Sequence, residues 1–220
     1  MCGIYGSTYA SKFEVLDIAN QTRGNFASGL YYHDGKNFDF QRTEGSFNWN
    51  DIKLPNGFIY LGHNQAPTSS IRAWSERNSH PFVYKNWVVA HNGVLTNFND
   101  LKSKHLPDHE NGVDSSIIPA LLLHFEEQST TSNSIKKETE LIKHVLELLE
   151  GTFGLWIVNT LTLNVYIVRQ GSTLFFDKNS FSSTKGQGYD IMEEGTIYKF
   201  TKKGFKAAGL FEPKSPFLVI

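Results

Sequence analysis

The 220-residue sequence carries 21 Lys and Arg against 22 Asp and Glu, so no strong field of either sign draws it to nucleic acid or an anionic membrane. Its one cysteine excludes an internal disulfide framework and cysteine-rich zinc sites, and no apolar run approaches the roughly 18 residues of a membrane-spanning helix. Hydrophobic content of 40%, with 17 Phe and nine Tyr, supplies the core of one large domain over 1–220. The first residues lack a basic stretch followed by an apolar core, so no signal peptide is expected and the chain reads as cytoplasmic.

Along the chain, residues 3–9 read as a short strand, and Lys12 to Thr22 as a helix with Phe13, Leu16, Ala19, Val15 and Ile18 as its apolar positions. Leu30 to Arg42 reads as two strands about the turn pair Asp34-Gly35. Phe58–Gln65 and Trp87–His91 are apolar runs bounded by turn residues, as buried strands are. The spacing of Ile117, Ile118, Leu121, Leu122 and Phe125 predicts a helix over Ser115–Gln128, with Asp114 or Ser115 as its N-cap. Ile135, Leu141, Ile142, Val145, Leu146 and Leu149 predict a second over Ser134–Glu150, stopped by Gly151. The rest is strand-rich: Leu155–Asn159, Val165–Arg169, Leu174–Asp177, Thr196–Thr201 and Phe205–Ala208. Strands, two helices and more strands fit an α+β layered domain.

Cys2 stands directly behind Met1, so removal of Met1 would leave a thiol and a free α-amine on one residue. A thiol titrates near ~8.5 and an α-amine near ~7.7–8.0. Nucleophile and base are then joined, a recognised way to activate a weak nucleophile. Alone, Cys2 could equally be a small buried hydrophobe. In Trp87-Val-Val-Ala-His-Asn-Gly93, a strand ending in Asn92-Gly93 could aim the Asn92 amide and the Gly93 N–H at one oxyanion. An ordinary Asn-Gly turn is the competing reading. His105 and His109 are four apart, but Pro107 between them argues against a helical metal pair. Lys185-Gly186-Gln187-Gly188 does not fit a phosphate loop. No metal and no cofactor are expected.

Taken together, these residues resemble the class II glutamine amidotransferases, the N-terminal-nucleophile glutaminase domains. Cys2-Gly3-Ile4-Tyr5-Gly6 is similar to the family's opening Cys-Gly-Ile-x-Gly, and Arg23-Gly24-Asn25-Phe26-Ala27-Ser28-Gly29 to its Arg-Gly-x-Asp-Ser-Ala-Gly. Gly62-His63-Asn64-Gln65-Ala66-Pro67-Thr68 stands where the family has Gly-His-x-Arg-x-x-Thr, and Asn78-Ser79-His80-Pro81 resembles its Asn-x-His-Pro. His91-Asn92-Gly93, Asp114-Ser115, Gly151-Thr152-Phe153-Gly154 and Glu193-Glu194-Gly195 complete the series.

The resemblance implies a four-layer αββα sandwich and a role for each position. Cys2 would attack the side-chain amide carbon of glutamine, its α-amine taking the proton through a water. Asn92 and Gly93 would form the oxyanion hole, Asp114 would bind the substrate α-ammonium, and Thr68 would line the pocket. Arg23, Gly24 and His80 would support the site. Two positions depart from the pattern. Gln65 replaces the arginine that grips the substrate α-carboxylate, losing the charge and the bidentate fork. Phe26 replaces an acidic residue. Arg72 or Arg77, on the loop beyond Thr68, could restore the charge or could simply face solvent. The expected function is glutamine hydrolysis with release of ammonia to a separate synthase protein or subunit. An N-terminal-cysteine amidase for another amide, or a non-catalytic binding protein of the same fold, are the alternatives.

Overall fold

The central strands carry near-continuous buried runs on both faces, and two sheets with helices outside each satisfy that pattern. The computed structural model describes residues 2–54, 56–67, 73–128 and 135–214. The first sheet contains β1 (Gly3–Ser7), β2 (Ala27–His33), β3 (Phe38–Glu44), β4 (Ile59–Gln65), β9 (Phe175–Phe176), β10 (Ser180–Ser182) and β11 (Asp190–Ile191), in the order β11-β9-β10-β1-β4-β2-β3. The second contains β5 (Phe82–Tyr84), β6 (Trp87–Leu95), β7 (Gly151–Asn159), β8 (Asn164–Gln170), β12 (Thr196–Thr201) and β13 (Gly204–Leu210), in the order β13-β12-β8-β7-β6-β5. Neighbouring strands in both sheets run antiparallel.

Between the sheets, Ile4, Tyr31 and Leu61 of the first meet Val88, Ala90, Trp156, Val158, Val165 and Ile167 of the second. The Trp156 Nε1 donates to the Gly62 carbonyl at 3.1 Å, a directional tie across this otherwise apolar seam. The opposite face of the second sheet presents Val89, Leu155, Ile157, Tyr166 and Val168 to α3 (Ile117–Gln128) and α4 (Ile135–Leu148). The opposite face of the first presents Tyr5, Leu30 and Tyr60 to Phe13 and Leu16 of α1 (Ala10–Gln21). The expected α+β, αββα sandwich is therefore the observed one.

Several boundaries differ from expectation. Strand β6 does not end at His91 but runs on to Leu95, so Asn92 and Gly93 lie within a ladder, opposite Gly154 and Phe153 of β7. Helix α1 buries Phe13, Leu16, Asp17 and Asn20, whereas Val15 and Ile18 are 64% and 53% exposed. Its inner face is thus half polar, which an apolar periodicity does not reveal. Asp114–Ser116 form a 3-10 turn ahead of α3. A short helix, α2 (Phe98–His105), has a single buried residue, Leu101, and so carries almost no periodic signal. His105 closes it and His109 lies beyond, where its ring bonds Tyr84 and Ser116.

Candidate active site

Cys2 sits at the mouth of β1, a central strand held by β4 on one side and β10 on the other. Its carbonyl accepts the Arg23 Nε at 2.8 Å, and the same guanidinium reaches the Ser183 carbonyl at 3.3 Å. Burial pushes the Cys2 thiol up; the Ala66 N–H and the Arg23 charge pull it down, while Asp114 pushes it up. The net rise leaves the thiol protonated near neutrality, so a nearby base must take its proton if it is to attack.

Gly24 allows the loop after α1 to lie on the end of β4, since a Cβ there would meet the Ala66 nitrogen at 2.3 Å and the Gln65 carbonyl carbon at 2.4 Å. That contact keeps the Ala66 N–H facing Cys2. Arg23 thus bonds Cys2 directly, and Gly24 packs on the end of β4 beside it.

Across the interface between the sheets, Ile4 lies against Gly154, the cross-strand partner of Asn92. Asn92 is 2% exposed, and its Nδ2 donates to the Ser183 Oγ at 3.2 Å. The Asn92 carbonyl is held by the Ser172 hydroxyl at 2.8 Å. A primary amide has two N–H bonds, so one remains for another acceptor. Gly93 follows with φ of 154°, and a Cβ there would stand 1.9 Å from the Thr152 carbonyl oxygen. Only glycine fits this approach of β6 to β7.

Asp114 is half-buried in its turn, with Oδ2 accepting the Leu95 N–H at 2.9 Å and Oδ1 the Ser115 N–H at 2.7 Å. The Ser115 hydroxyl continues to His91 Nδ1 at 2.8 Å, and His91 Nε2 to the Thr152 carbonyl at 3.1 Å. A carbonyl only accepts, so Nε2 carries the ring proton. Burial holds His91 neutral by lowering its pKa, and the bare Nδ1 then accepts from Ser115. This chain links the turn bearing Asp114 to the oxygen beneath Gly93.

Gln65 is 1% exposed, with its Nε2 donating to the Asn78 carbonyl at 3.2 Å and its Oε1 lying 3.4 Å from His80 Nδ1. His80 stacks on His63 with ring centroids 3.8 Å apart. Arg77 pairs with Glu110 at 2.7 Å on the surface, both side chains being largely exposed. Thr68 and Arg72 lie outside the described residues.

Sequence reasoning missed Ser183 and Ser172 as bonding partners of Asn92. The two distal serines sit in short polar stretches near β9 and β10, where neither periodicity nor spacing singles out one hydroxyl. Asn92 and Gly93 were legible by type, but their place inside a strand was not.

The fold is shared with solved amidotransferases, and the sequence is similar to curated glutamine–fructose-6-phosphate aminotransferases. A curated relative, glutamine–fructose-6-phosphate aminotransferase (isomerizing) of Buchnera aphidicola subsp. Baizongia pistaciae, is 27% identical over 92% of this chain and 34% of its own length. A solved structure of the allosteric regulatory enzyme of purine biosynthesis superposes with a TM-score of 0.74 at 18% identity, covering 97% of this chain and 50% of that one. The glutamine phosphoribosylpyrophosphate amidotransferase from B. subtilis, complexed with ADP and GMP, gives a TM-score of 0.71 at 18% identity over 97% of this chain and 50% of that one. The chain thus spans about a third of the curated relative it matches. No protein-family model matches the chain.

Proposed function

We propose that residues 1–220 form a single glutaminase domain whose Cys2, freed of Met1, hydrolyses the side-chain amide of glutamine. The Cys2 sulfur bonds to the amide carbon while the α-amine takes the thiol proton through a water and passes it to the departing nitrogen. Ammonia leaves, water cleaves the γ-glutamyl thioester, and glutamate and the free thiol result. The free N–H of Asn92 and the Gly93 N–H receive the oxyanion, and Asp114 binds the substrate α-ammonium. Thr68 lines the pocket, and Arg23, Gly24 and His80 support it. The ammonia passes to a synthase carried by a separate protein or subunit, in the cytoplasm. Among the described residues no helix is long and apolar enough to cross a membrane.

The observation that carries this reading is the convergence of the Cys2 strand and the Asn92 amide on one buried hydroxyl, Ser183. Ammonia and glutamate released in equal amounts by protein whose intact mass lacks Met1, and neither released by Cys2→Ala, is the expected result. Unchanged release by Cys2→Ala refutes the assignment.

The engagement of Gln65 with Asn78 and His80 favours a second reading, an amidase for a substrate without an α-carboxylate. Under the glutaminase reading Arg72 supplies the carboxylate's partner, so Arg72→Ala raises KM for glutamine and Gln65→Arg lowers it. If both leave glutamine kinetics unchanged and another amide is turned over far faster, the amidase reading prevails.

A further inference from the structure

Resting on the glutaminase reading, we infer that Ser183 is a positioning residue that sets the Asn92 amide relative to the nucleophile strand. Ser183 follows β10 and is buried. Its hydroxyl oxygen accepts the Ile4 N–H at 3.0 Å and the Asn92 Nδ2 at 3.2 Å. Its backbone N–H donates to the Ile4 carbonyl at 2.8 Å. Its own carbonyl accepts the Thr173 hydroxyl at 3.2 Å and the Arg23 Nη1 at 3.3 Å.

Arg23 simultaneously holds the Cys2 carbonyl, so one residue is bonded to the strand bearing the thiol, to the arginine that clamps Cys2, and to the oxyanion amide. Each bond constrains a different part. The Ile4 pair fixes how far β1 advances past β10. The Asn92 bond occupies one N–H of the amide and thereby turns the other toward the space in front of Cys2. Among the described residues no other hydrogen-bond partner orients the Asn92 side chain; Ser172 holds only its backbone carbonyl. Without the Ser183 oxygen, the amide rotates about its last side-chain bond, which is soft for asparagine. Oxyanion donors act by being fixed before the charge develops, so a freely turning amide loses most of that benefit.

Ser183→Ala, Ser183→Thr, Asn92→Ala and the double variant Ser183→Ala/Asn92→Ala separate this from a structural role, with ammonia release and thermal melting measured for each. Ser183→Ala is expected to lower kcat by about 10- to 10²-fold, the scale of a misplaced catalytic group, with KM within about twofold and ~90% or more of the protein folded. Ser183→Thr, which keeps the oxygen, is expected to restore kcat to within about threefold of wild type. In the Asn92→Ala background the Ser183→Ala change should shift kcat by less than about threefold, because the two act as a unit. Full kcat in folded Ser183→Ala, or a loss that multiplies undiminished on Asn92→Ala, overturns the role. Should Ser183→Ala fail to fold, Ser183→Thr and Ser183→Gly are compared at matched folded fraction, and equal kcat in the two overturns it. Wild-type protein that releases no ammonia overturns the glutaminase reading, and this inference with it.

Discussion

The two outer helical layers are fastened to their sheets by different means. Helices α3 and α4 meet the second sheet through Ile117, Ile118, Leu121, Leu122, Ile142, Val145, Leu146 and Leu149, with one buried carboxylate, Glu138, bonded to Asn164 and Tyr166 at the margin. Helix α1 meets the first sheet through Phe13 and Leu16, but beside them it buries Asp17 and Asn20. Asp17 accepts the Tyr5 hydroxyl, the Trp49 Nε1 at 2.8 Å and the Gln21 Nε2 at 2.8 Å. Asn64 accepts from Ser28 at 3.0 Å and donates to the Asp17 carbonyl at 3.0 Å, while Asn20 bonds Ser182 at 2.9 Å.

Apolar contact is non-directional and tolerates small slides of a helix over its sheet. Hydrogen bonds lose strength within a few tenths of an ångström and tens of degrees. The directional layer lies behind β1 and β4, the strands that place Cys2, Ala66 and Gln65. Both layers carry directional ties, since Glu126 of α3 accepts the Trp87 Nε1 at 2.9 Å, but α1 sets its own behind the strand that bears Cys2.

Four variants or conditions test that contrast, taken from the largest effect down. Asn92→Ala removes a donor at the sheet seam and should lower kcat by about 10²–10³, the usual loss for one oxyanion donor, with KM for glutamine nearly unchanged. A fall in affinity with turnover intact would make Asn92 a binding residue. Leu121→Ala in the apolar layer should cost about 2–5 kcal/mol in denaturant unfolding, with kcat per folded molecule unchanged; a changed kcat would show the site to be sensitive to both layers. Asp17→Asn replaces an acceptor oxygen by a donor facing other donors. It should cost about 1–3 kcal/mol and, unlike Leu121→Ala, lower kcat of the folded protein by displacing β1.

The last concerns acid. His63 donates its Nε2 proton to the His91 carbonyl at 3.0 Å, and burial pushes its pKa down to about 3. The unfolded chain binds a proton at this residue near pH ~6.5 and the folded one does not. Stability contributed by the neutral ring is therefore complete above that pH and lost as pH falls from ~6.5 toward 3, by about 1.4 kcal/mol per pH unit. His63→Gln should flatten the acid limb of an unfolding-versus-pH curve by that one proton. An unchanged slope would mean His63 charges without cost in the folded state.

The sandwich was legible because strands buried on both faces leave unbroken apolar runs and α3 and α4 repeat every three to four residues. Thr196–Thr201 matches β12 residue for residue. What escaped was polar. Asp17 and Asn20 occupy core positions of α1 that an apolar count passes over, and β10 contributes only Phe181 between two serines. Of the residues named by type, Arg23 bonds the Cys2 carbonyl and Ser183, and Ser183 bonds Asn92. The hydroxyls that hold them do not declare themselves, because a serine in a short loop looks the same whether it bonds a catalytic amide or water. Gln65 was read as an unfilled carboxylate grip, and its actual bonds to Asn78 and His80 depend on contacts between segments that no local pattern encodes.

The bond from Ile4 to Ser183 spans 179 positions of the chain. A ribosome delivers β1 before either of its neighbours: β4 follows only when residues 59–65 emerge, and β10 only after residues 180–182. Contacts of such separation form late. During synthesis β1 therefore waits unpaired until the chain far beyond it has emerged. Once β10 docks, β1 is bonded along both edges, to β4 and to β10.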